Sequence, residues 1–301
     1  MKIFITGGTG FIGKHLIKKL SNNGNHEILL LSRNKSYNYK DDSGLEKSNI
    51  KILEGDLSNI KDWEGKIKEF SPEVAVHLAW EGIPNYDSEM SFKNLKYGLD
   101  LLSMLKVIGC KKIIFTGSCW EYGKQKGCLN EKSVINSYNT FTSAKNALHW
   151  MGKYMAEEND DIQFIWIRPF YVYGPGQKKT SLIPYIIDSI KENKILDLKT
   201  PHAKNDFVYV EDVADAIILL LEKAKGSNVY NIGSGCLTSV NEIMNVVYAN
   251  LNIKSDFKSI ISQKEVLYDS FWADLSKIKN EVGWIPKVDI KEGILRMIIL
   301  S

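Results

Sequence analysis

The chain has 301 residues, 44% hydrophobic and 25% charged, and its 39 lysines and arginines against 36 aspartates and glutamates leave a formal charge of +3. This is the balance of a globular chain long enough for about two domains of roughly 150 residues, and it excludes collagen, coiled coil and intrinsic disorder. The basic residues are scattered singly, which leaves no electrostatic footprint for nucleic acid, and no apolar run reaches the ~18 residues that would cross a bilayer.

Met1-Lys2-Ile3-Phe4-Ile5 starts like a secretory signal, but Gly7-Gly8-Thr9-Gly10 interrupts it too early. Cys110, Cys119, Cys128 and Cys236 show neither C-x-x-C spacing nor finger-like histidines. The expectation is therefore a cytoplasmic protein with reduced thiols, no metal site, and no nucleic-acid or membrane partner.

In chain order, short and almost uniformly apolar runs at residues 2–6, 26–32, 50–54, 74–79, 112–116 and 163–168 read as strands buried on both faces. Amphipathic stretches at 10–23, 60–70, 90–108 and 137–158 read as helices between them. Such alternation predicts an α/β fold, a doubly wound parallel sheet of the Rossmann type. The rhythm changes after Arg168, at the turn Tyr173-Gly174-Pro175-Gly176. We therefore expect one domain over 1–168 and a smaller α/β lobe over 169–301. Residues 206–210 with a helix at 211–222, and residues 229–232 before Gly233-Ser234-Gly235, are candidates to return to the main sheet.

Between the first strand and first helix lies Thr6-Gly7-Gly8-Thr9-Gly10-Phe11-Ile12-Gly13. Glycines there let the backbone turn tightly and approach a pyrophosphate, and the helix start offers free N–H groups to the anion. Gly7, Gly10, Phe11, Ile12 and Gly13 are thus candidate dinucleotide contacts. A free ribose 2′-hydroxyl usually meets a carboxylate at the end of the second strand, whereas a 2′-phosphate meets small and basic residues. Here Ser32-Arg33 stands at that point. A guanidinium clamps a phosphate with paired charge-assisted hydrogen bonds, so the expected cofactor is NADP(H), with NAD as the alternative.

These residues resemble the extended branch of the short-chain dehydrogenase/reductases, which includes nucleotide-sugar epimerases, dehydratases and 4-ketoreductases. The similarity runs nearly end to end. It includes Gly55-Asp56-Leu57, His77-Leu78-Ala79-Trp80, the segment from Arg168 to Gly176, Asp206 to Ala214, Asn231 to Gly235, and the tail around Gly283-Trp284-Ile285-Pro286. The resemblance implies that Asp56, with Leu57, contacts adenine, that Leu78 and Ala79 pass the cofactor, and that 1–168 is the dinucleotide-binding domain and 169–301 mainly the substrate-binding lobe. It also implies a nucleotide-diphosphate sugar as substrate and a homodimer through the helices at 90–108 and 137–158. Leu95, Leu99, Leu102, Leu105, Leu148, Met151 and Met155 could supply that apolar stripe, and their burial within the monomer is equally allowed.

Two segments bear on the chemistry. Ser118 stands where the family keeps the hydroxyl that bonds the reacting oxygen. Phe141-Thr142-Ser143-Ala144-Lys145 occupies the place of the family's Tyr-x-x-x-Lys, with phenylalanine for tyrosine. Residues i and i+4 share a helix face, so the usual lysine acidifies the phenol and holds the nicotinamide ribose, and the phenol moves the proton. Phe141 cannot. An engineered change, a natural variant with another proton source, and a chain that only binds are all open; Tyr138, Tyr122, Cys119 and His149 are the titratable neighbours in sequence.

Family dehydratases carry an acidic pair directly after the serine position, where this chain has Cys119-Trp120, so dehydration is disfavoured. With NADPH as reductant, the resemblance implies reduction of a nucleotide-linked 4-keto-6-deoxysugar. A C4 epimerase and a catalytically silent, cofactor-binding regulatory protein are the alternatives. Candidate substrate contacts are Trp80, Ser118, Cys119, Trp120, Tyr171, Lys178 and Asn205, with Trp150 as a possible further aromatic wall. Tyr171 and Asn205 replace the family's usual asparagine and arginine.

Overall fold

The computed structural model describes residues 1–22, 25–34, 47–194, 196, 198, 200, 203–253 and 270–300. In chain order the first half contains β1 (Lys2–Thr6), α1 (Phe11–Asn22), β2 (Glu27–Ser32), β3 (Ile50–Glu54), α2 (Glu64–Phe70), β4 (Val74–His77), α3 (Ser88–Val107), β5 (Lys112–Thr116), β6 (Gly127–Leu129), α4 (Thr140–Glu157) and β7 (Gln163–Pro169). The second half contains β8 (Tyr171–Tyr173), α5 (Leu182–Lys191), β9 (Lys204–Asn205), β10 (Phe207–Tyr209), α6 (Val210–Lys223), β11 (Asn228–Ile232), β12 (Thr238–Ser239), α7 (Val240–Leu251), β13 (Phe271–Ala273), α8 (Ser276–Val282) and α9 (Ile290–Ile299).

Seven strands form one parallel sheet in the order β3-β2-β1-β4-β5-β7-β11. Both faces are covered, as the uniform apolar runs require. Ile3 and Ile5 of β1, with Ile28, Leu30, Ile114, Ile165 and Ile167, pack under Leu16, Ile17 and Leu20 of α1 and Val213, Ile217 and Leu220 of α6. The alternate residues Phe4, Leu29, Leu31, Ile113, Phe115, Phe164 and Trp166 face Leu101, Leu102 and Leu105 of α3 and Leu148 of α4. Strand order reverses between β1 and β4, so a crevice opens beyond their carboxyl ends, the place where such sheets bind ligands.

The structure revises several boundaries. β4 stops at His77 rather than at 79, because its neighbour β1 ends at Thr6, opposite His77, and residues beyond have no ladder partner. The helix expected at 60–70 is a 3₁₀ segment, Leu57–Asp62, followed by α2, with a break at Asn59; the Asp56 side chain caps it by accepting from the Ser58 N–H at 2.7 Å. The last residue of the helix expected at 10–23 lies outside the described residues. Residues 229–232 do rejoin the main sheet, inside β11. Residues 207–209 do not: β10 pairs with β8 instead, and it is the following helix, α6, that returns to the sheet. The leucine stripe expected at a dimer surface is largely consumed inside the chain, where Leu102, Leu105 and Leu148 are buried beneath α3 and α4 and Leu95, Leu99 and Met155 pack against them. Met151 stays exposed. Among the described residues no helix is long and apolar enough to cross a membrane.

The later lobe has its own core, in which Ile183, Ile186 and Ile187 of α5 meet Ile243, Met244 and Val247 of α7 and Ile294 of α9. Asp206, fully buried, holds the lobe to the sheet end by accepting from the N–H groups of Ser234, Gly235 and Ala273 and from the Ser234 hydroxyl. Asp212 likewise accepts from the N–H groups of Lys287 and Val288.

Beneath the end of β5 lies a buried ion pair. Arg168 Nε donates to Glu121 Oε2 at 2.8 Å, with side chains 2% and 0% exposed. The same carboxylate accepts from Trp166 Nε1 at 3.1 Å and from the Ser118 N–H at 2.8 Å. Removing one partner of such a pair strands the other charge, which typically costs about 3–5 kcal/mol, whereas replacing both by apolar groups is often close to neutral. Arg168→Met is therefore expected to lower unfolding free energy by about 3–5 kcal/mol, read from urea denaturation. Adding Glu121→Leu should recover part of the loss, the remainder being the acceptor that Ser118 and Trp166 forfeit.

Candidate functional site

The turn after β1 is possible because its glycines leave room for backbone. Gly7 has φ +74°, and a Cβ there would come within 2.5 Å of the Ala79 nitrogen; one at Gly13 would come within 2.2 Å of the Gly7 carbonyl oxygen. The Gly10 N–H donates to that same carbonyl at 3.0 Å, which sets the start of α1 against the loop. From this turn runs a cavity of about 600 Å³, lined by Gly7, Gly10, Phe11, Ile12, Gly13, Ser32, Arg33, Asp56, Leu57, Leu78 and Ala79. These are all the expected cofactor residues apart from Lys145. Trp80 and Lys178, expected at the substrate, line the same groove, and the Lys178 ammonium donates to the Ile83 carbonyl at 2.5 Å. Behind Thr6, which lines the groove, His77 is buried, shares a 2.6 Å hydrogen bond with Thr6 Oγ1 and is pushed down to about 3 by burial and by Lys145.

Arg33 is not a bare cation. It pairs with Glu81 and lies 3.9 Å from Asp56 Oδ2, while Lys93 reaches the other Glu81 oxygen at 2.9 Å. Burial works against the Asp56 carboxylate, but hydrogen bonds from Ser58 and the charge of Arg33 outweigh it and hold the group below the usual range.

The second half of the site is built where β5 ends and α4 begins. Ser118 caps the 3₁₀ turn Cys119–Tyr122: its hydroxyl oxygen accepts from the Trp120 N–H at 3.2 Å, and Glu121 reaches back to its N–H. Asn139 caps α4 in the same way, accepting from the Thr142 N–H, and so presents Phe141 and Lys145 on one face. The Lys145 ammonium is buried, donates to the Thr116 carbonyl at 2.6 Å, and stands 3.7 Å from the centroid of the Trp80 ring. Burial pulls it down to about 7, against the opposing pull of Glu121. Phe141 is 5% exposed and packs on Trp80, Tyr86 and Trp120, with ring centroids 5.4, 4.9 and 6.1 Å away. Trp120 Nε1 in turn donates to the Tyr171 hydroxyl at 3.2 Å.

The expected residues are thus sorted. Ser118, Trp120, Phe141, Lys145 and Tyr171 converge, and Trp80 joins them to the groove. Asn205 sits in β9, paired with Thr238 of β12. Cys119 is 2% exposed, inside a small core with Leu129 and Phe170, where burial and nearby carboxylates drive its thiol well above the ordinary range. Two sequence neighbours turn elsewhere. The Tyr122 hydroxyl lies 2.7 Å from Asn231 Oδ1 and accepts from Arg168, and burial pushes it up to about 12. His149 stacks on Trp166 at 5.2 Å, is pushed down to about 3 by burial and by Arg168 and Lys153, and with Trp150 lines a separate cavity of about 770 Å³. Trp150 is therefore no wall of the groove.

Sequence reasoning missed Glu81 and Tyr86. Glu81 follows Trp80 directly and Tyr86 comes six residues after it on the loop leaving β4, beyond the turn at Gly82, φ +89°. The signal was available as a continuation of the segment that ended at Trp80.

Comparison with known proteins agrees with this geometry. The chain is similar to a putative UDP-glucose 4-epimerase of Methanocaldococcus jannaschii, 28% identical over 98% of the chain and 97% of the relative. It is similar to a dTDP-4-dehydro-6-deoxyglucose reductase of Escherichia coli, 26% identical over 98% of the chain and 96% of the relative. Its fold matches the crystal structure of a dTDP-glucose 4,6-dehydratase from Bacillus anthracis in complex with NAD, with a TM-score of 0.86, 24% identity, and coverage of 100% of this chain and 96% of that one. A family model described as the NAD dependent epimerase/dehydratase family matches residues 3–233, which take in the glycine loop, the Ser118 and Lys145 segments and the last strand of the main sheet, and the chain belongs to that family.

Proposed function

We propose that the chain reduces the C4 carbonyl of a nucleotide-linked 4-keto-6-deoxysugar with NADPH. The observation that carries this reading is the meeting of groove and pocket at Trp80, one face lining the dinucleotide-sized cavity and the ring carrying the Lys145 ammonium. The E. coli relative whose name states reduction of a 4-keto-6-deoxysugar supports the reaction class. Dehydration lacks its acid, since the side chains directly after Ser118 are a buried thiol and an indole, and Glu121 is committed to Arg168, Trp166 and Ser118.

In this reading Gly7 to Gly13 take the pyrophosphate, Asp56 and Leu57 the adenine side, and Arg33 exchanges its carboxylate partners for the 2′-phosphate. The bound cofactor supplies the hydride. Lys145, with an amine that titrates near neutrality, holds the nicotinamide ribose. The Ser118 oxygen already accepts from the Trp120 N–H, which leaves the hydroxyl proton to hydrogen-bond the ketone oxygen and steady the negative charge that develops there. Trp120, Tyr171 and the lobe after residue 169 receive the nucleotide sugar. We further propose a homodimer through the outer faces of α3 and α4, where Phe92, Trp150, Met151 and Tyr154 are exposed. The packing of Phe141, which offers no proton, favours one second reading, a cofactor-binding protein without turnover.

NADPH oxidation in the presence of 4-keto-6-deoxysugar nucleotides tests the assignment, and a silent chain that still binds the cofactor would establish the second reading instead. Fluorescence titration should show NADPH binding more tightly than NADH, with Arg33→Ala reducing NADPH affinity about tenfold, the scale of one charge-assisted hydrogen bond. Tighter NADH binding would overturn both the cofactor and the direction of reaction.

Lys145 also makes a pH prediction. Its folded pKa of about 7 lies below the ordinary 10.5, so between these values the unfolded chain binds more protons and stability rises with pH. Urea denaturation at pH 7 and pH 9.5 should show this gain in the parent chain relative to Lys145→Met, in which it is lost.

A further inference from the structure

We propose that Tyr86 delivers the proton that Phe141 cannot. The proposal rests on the reductase reading and deepens it by naming the acid.

The loop that carries Tyr86 is held from both ends. Asp87 caps α3 by accepting from the Met90 N–H at 2.8 Å and also accepts from the Asn85 amide at 2.8 Å. On the other side the Tyr86 carbonyl accepts from Thr140 Oγ1 at 3.3 Å. Thr140 is the first residue of α4 and immediately precedes Phe141, so the backbone of Tyr86 is tied to the start of the helix from which the family's phenol would project. Its ring lies 4.9 Å from the Phe141 ring and 5.0 Å from the Trp120 ring. That places a phenol beside the ring that lacks one, next to the turn capped by Ser118.

The other candidates are committed or placed differently. The Tyr122 hydroxyl belongs to the Arg168 and Asn231 network and the Cys119 thiol is sealed in a core. The Tyr171 hydroxyl accepts the Trp120 indole N–H and keeps its own proton, but its ring has no contact with Phe141 among the described residues; Tyr171→Phe is expected to raise KM while keeping the alkaline limb of the pH profile, and loss of that limb there overturns the assignment to Tyr86. Tyr138 is about half exposed and makes no ring contact with Phe141 among the described residues. The Tyr86 hydroxyl has no hydrogen-bond partner among the described residues, and burial raises its pKa, which keeps its proton in place at neutral pH.

The step balances with reduced nicotinamide as the reductant. Hydride adds to the C4 carbonyl carbon, the C=O π pair moves onto oxygen, and that oxygen takes the proton from the Tyr86 hydroxyl. The products are the alcohol, the oxidised nicotinamide and a tyrosinate, which water reprotonates.

Stopped-flow NADPH oxidation with a 4-keto-6-deoxysugar nucleotide tests the assignment across pH 6–10 in the parent chain, Tyr86→Phe, Tyr138→Phe and Tyr86→Phe/Phe141→Tyr. General acid catalysis contributes roughly 10²–10⁴-fold. Tyr86→Phe is expected to lower kcat by at least about 10²-fold, with cofactor affinity retained and the alkaline limb of the pH profile lost. Tyr138→Phe should keep the parent rate, and restoring the phenol at position 141 should recover turnover in the Tyr86→Phe background. Parent turnover that survives Tyr86→Phe, or falls instead in Tyr138→Phe, overturns the donor assignment and leaves the reductase reading standing. A parent chain silent toward every ketosugar overturns both.

Discussion

An ammonium buried over an indole is the constraint on which this architecture turns. Lys145 gives up water for a carbonyl oxygen and the face of Trp80, contacts that offset only part of the desolvation that pulls its amine down to about 7. The contact joins two structures made for different reasons. Trp80 reaches it from the open end of β4, where the sheet has run out of ladder partners, and Lys145 from the second turn of a capped helix. Each element is fixed by its own backbone chemistry, and the place where they touch lies between a cavity of dinucleotide size and a pocket of aromatic rings.

Below that contact, Glu121 and Arg168 perform a supporting task. The carboxylate accepts from Ser118, Trp166 and Arg168 at once, so the backbone entering the Ser118 turn is tied to the strand beside it. A buried pair is weak evidence of net stability, since desolvation offsets much of its attraction. Its worth here is geometric. It fixes Ser118 at the end of β5 while occupying the single carboxylate near enough in sequence to be mistaken for a catalytic acid.

What could be read from the residues alone follows from which forces are local. The glycine loop was legible because its requirements are backbone requirements: a positive φ at Gly7 and the approach of Gly13 to the Gly7 carbonyl exclude any Cβ. The inner strands were legible because burial on both faces leaves an apolar run, whereas β3, at the sheet edge, exposes Lys51 and Glu54 and was buried less than expected. Direction was not legible. Tyr122 and His149 stand as close in sequence to the chemistry as Ser118 and Lys145, yet the 3₁₀ turn and the next turn of α4 aim them into the Arg168 network and the second cavity. The leucines of α3 could equally have faced a partner or the sheet, and packing against Leu148 and Trp166 settled it. Residues 207–209 had the composition of a sheet strand and found a parallel partner in β8 instead.

The loop from Trp80 to Asp87 was the least legible segment, because loops carry no hydrophobic period from which a facing can be inferred. It contributes the most unexpected contacts. Glu81 pairs with both Arg33 and Lys93, and Arg33 also stands 3.9 Å from Asp56, so any 2′-phosphate must be preferred over two carboxylates already in place. Tyr86 reaches across to the start of α4. These two facts share one cause, since the turn at Gly82 sends the chain first along the rim of the groove and then back over the aromatic pocket. The carboxylate that pairs with Arg33 and the phenol beside Phe141 therefore sit on one short connection. The loop is held along its length by Asn94 on both backbone groups of Glu81, by Lys178 on the Ile83 carbonyl, by the Asp87 cap at α3 and by Thr140 on the Tyr86 carbonyl, so backbone contacts rather than a hydrophobic period fix Tyr86 beside Phe141.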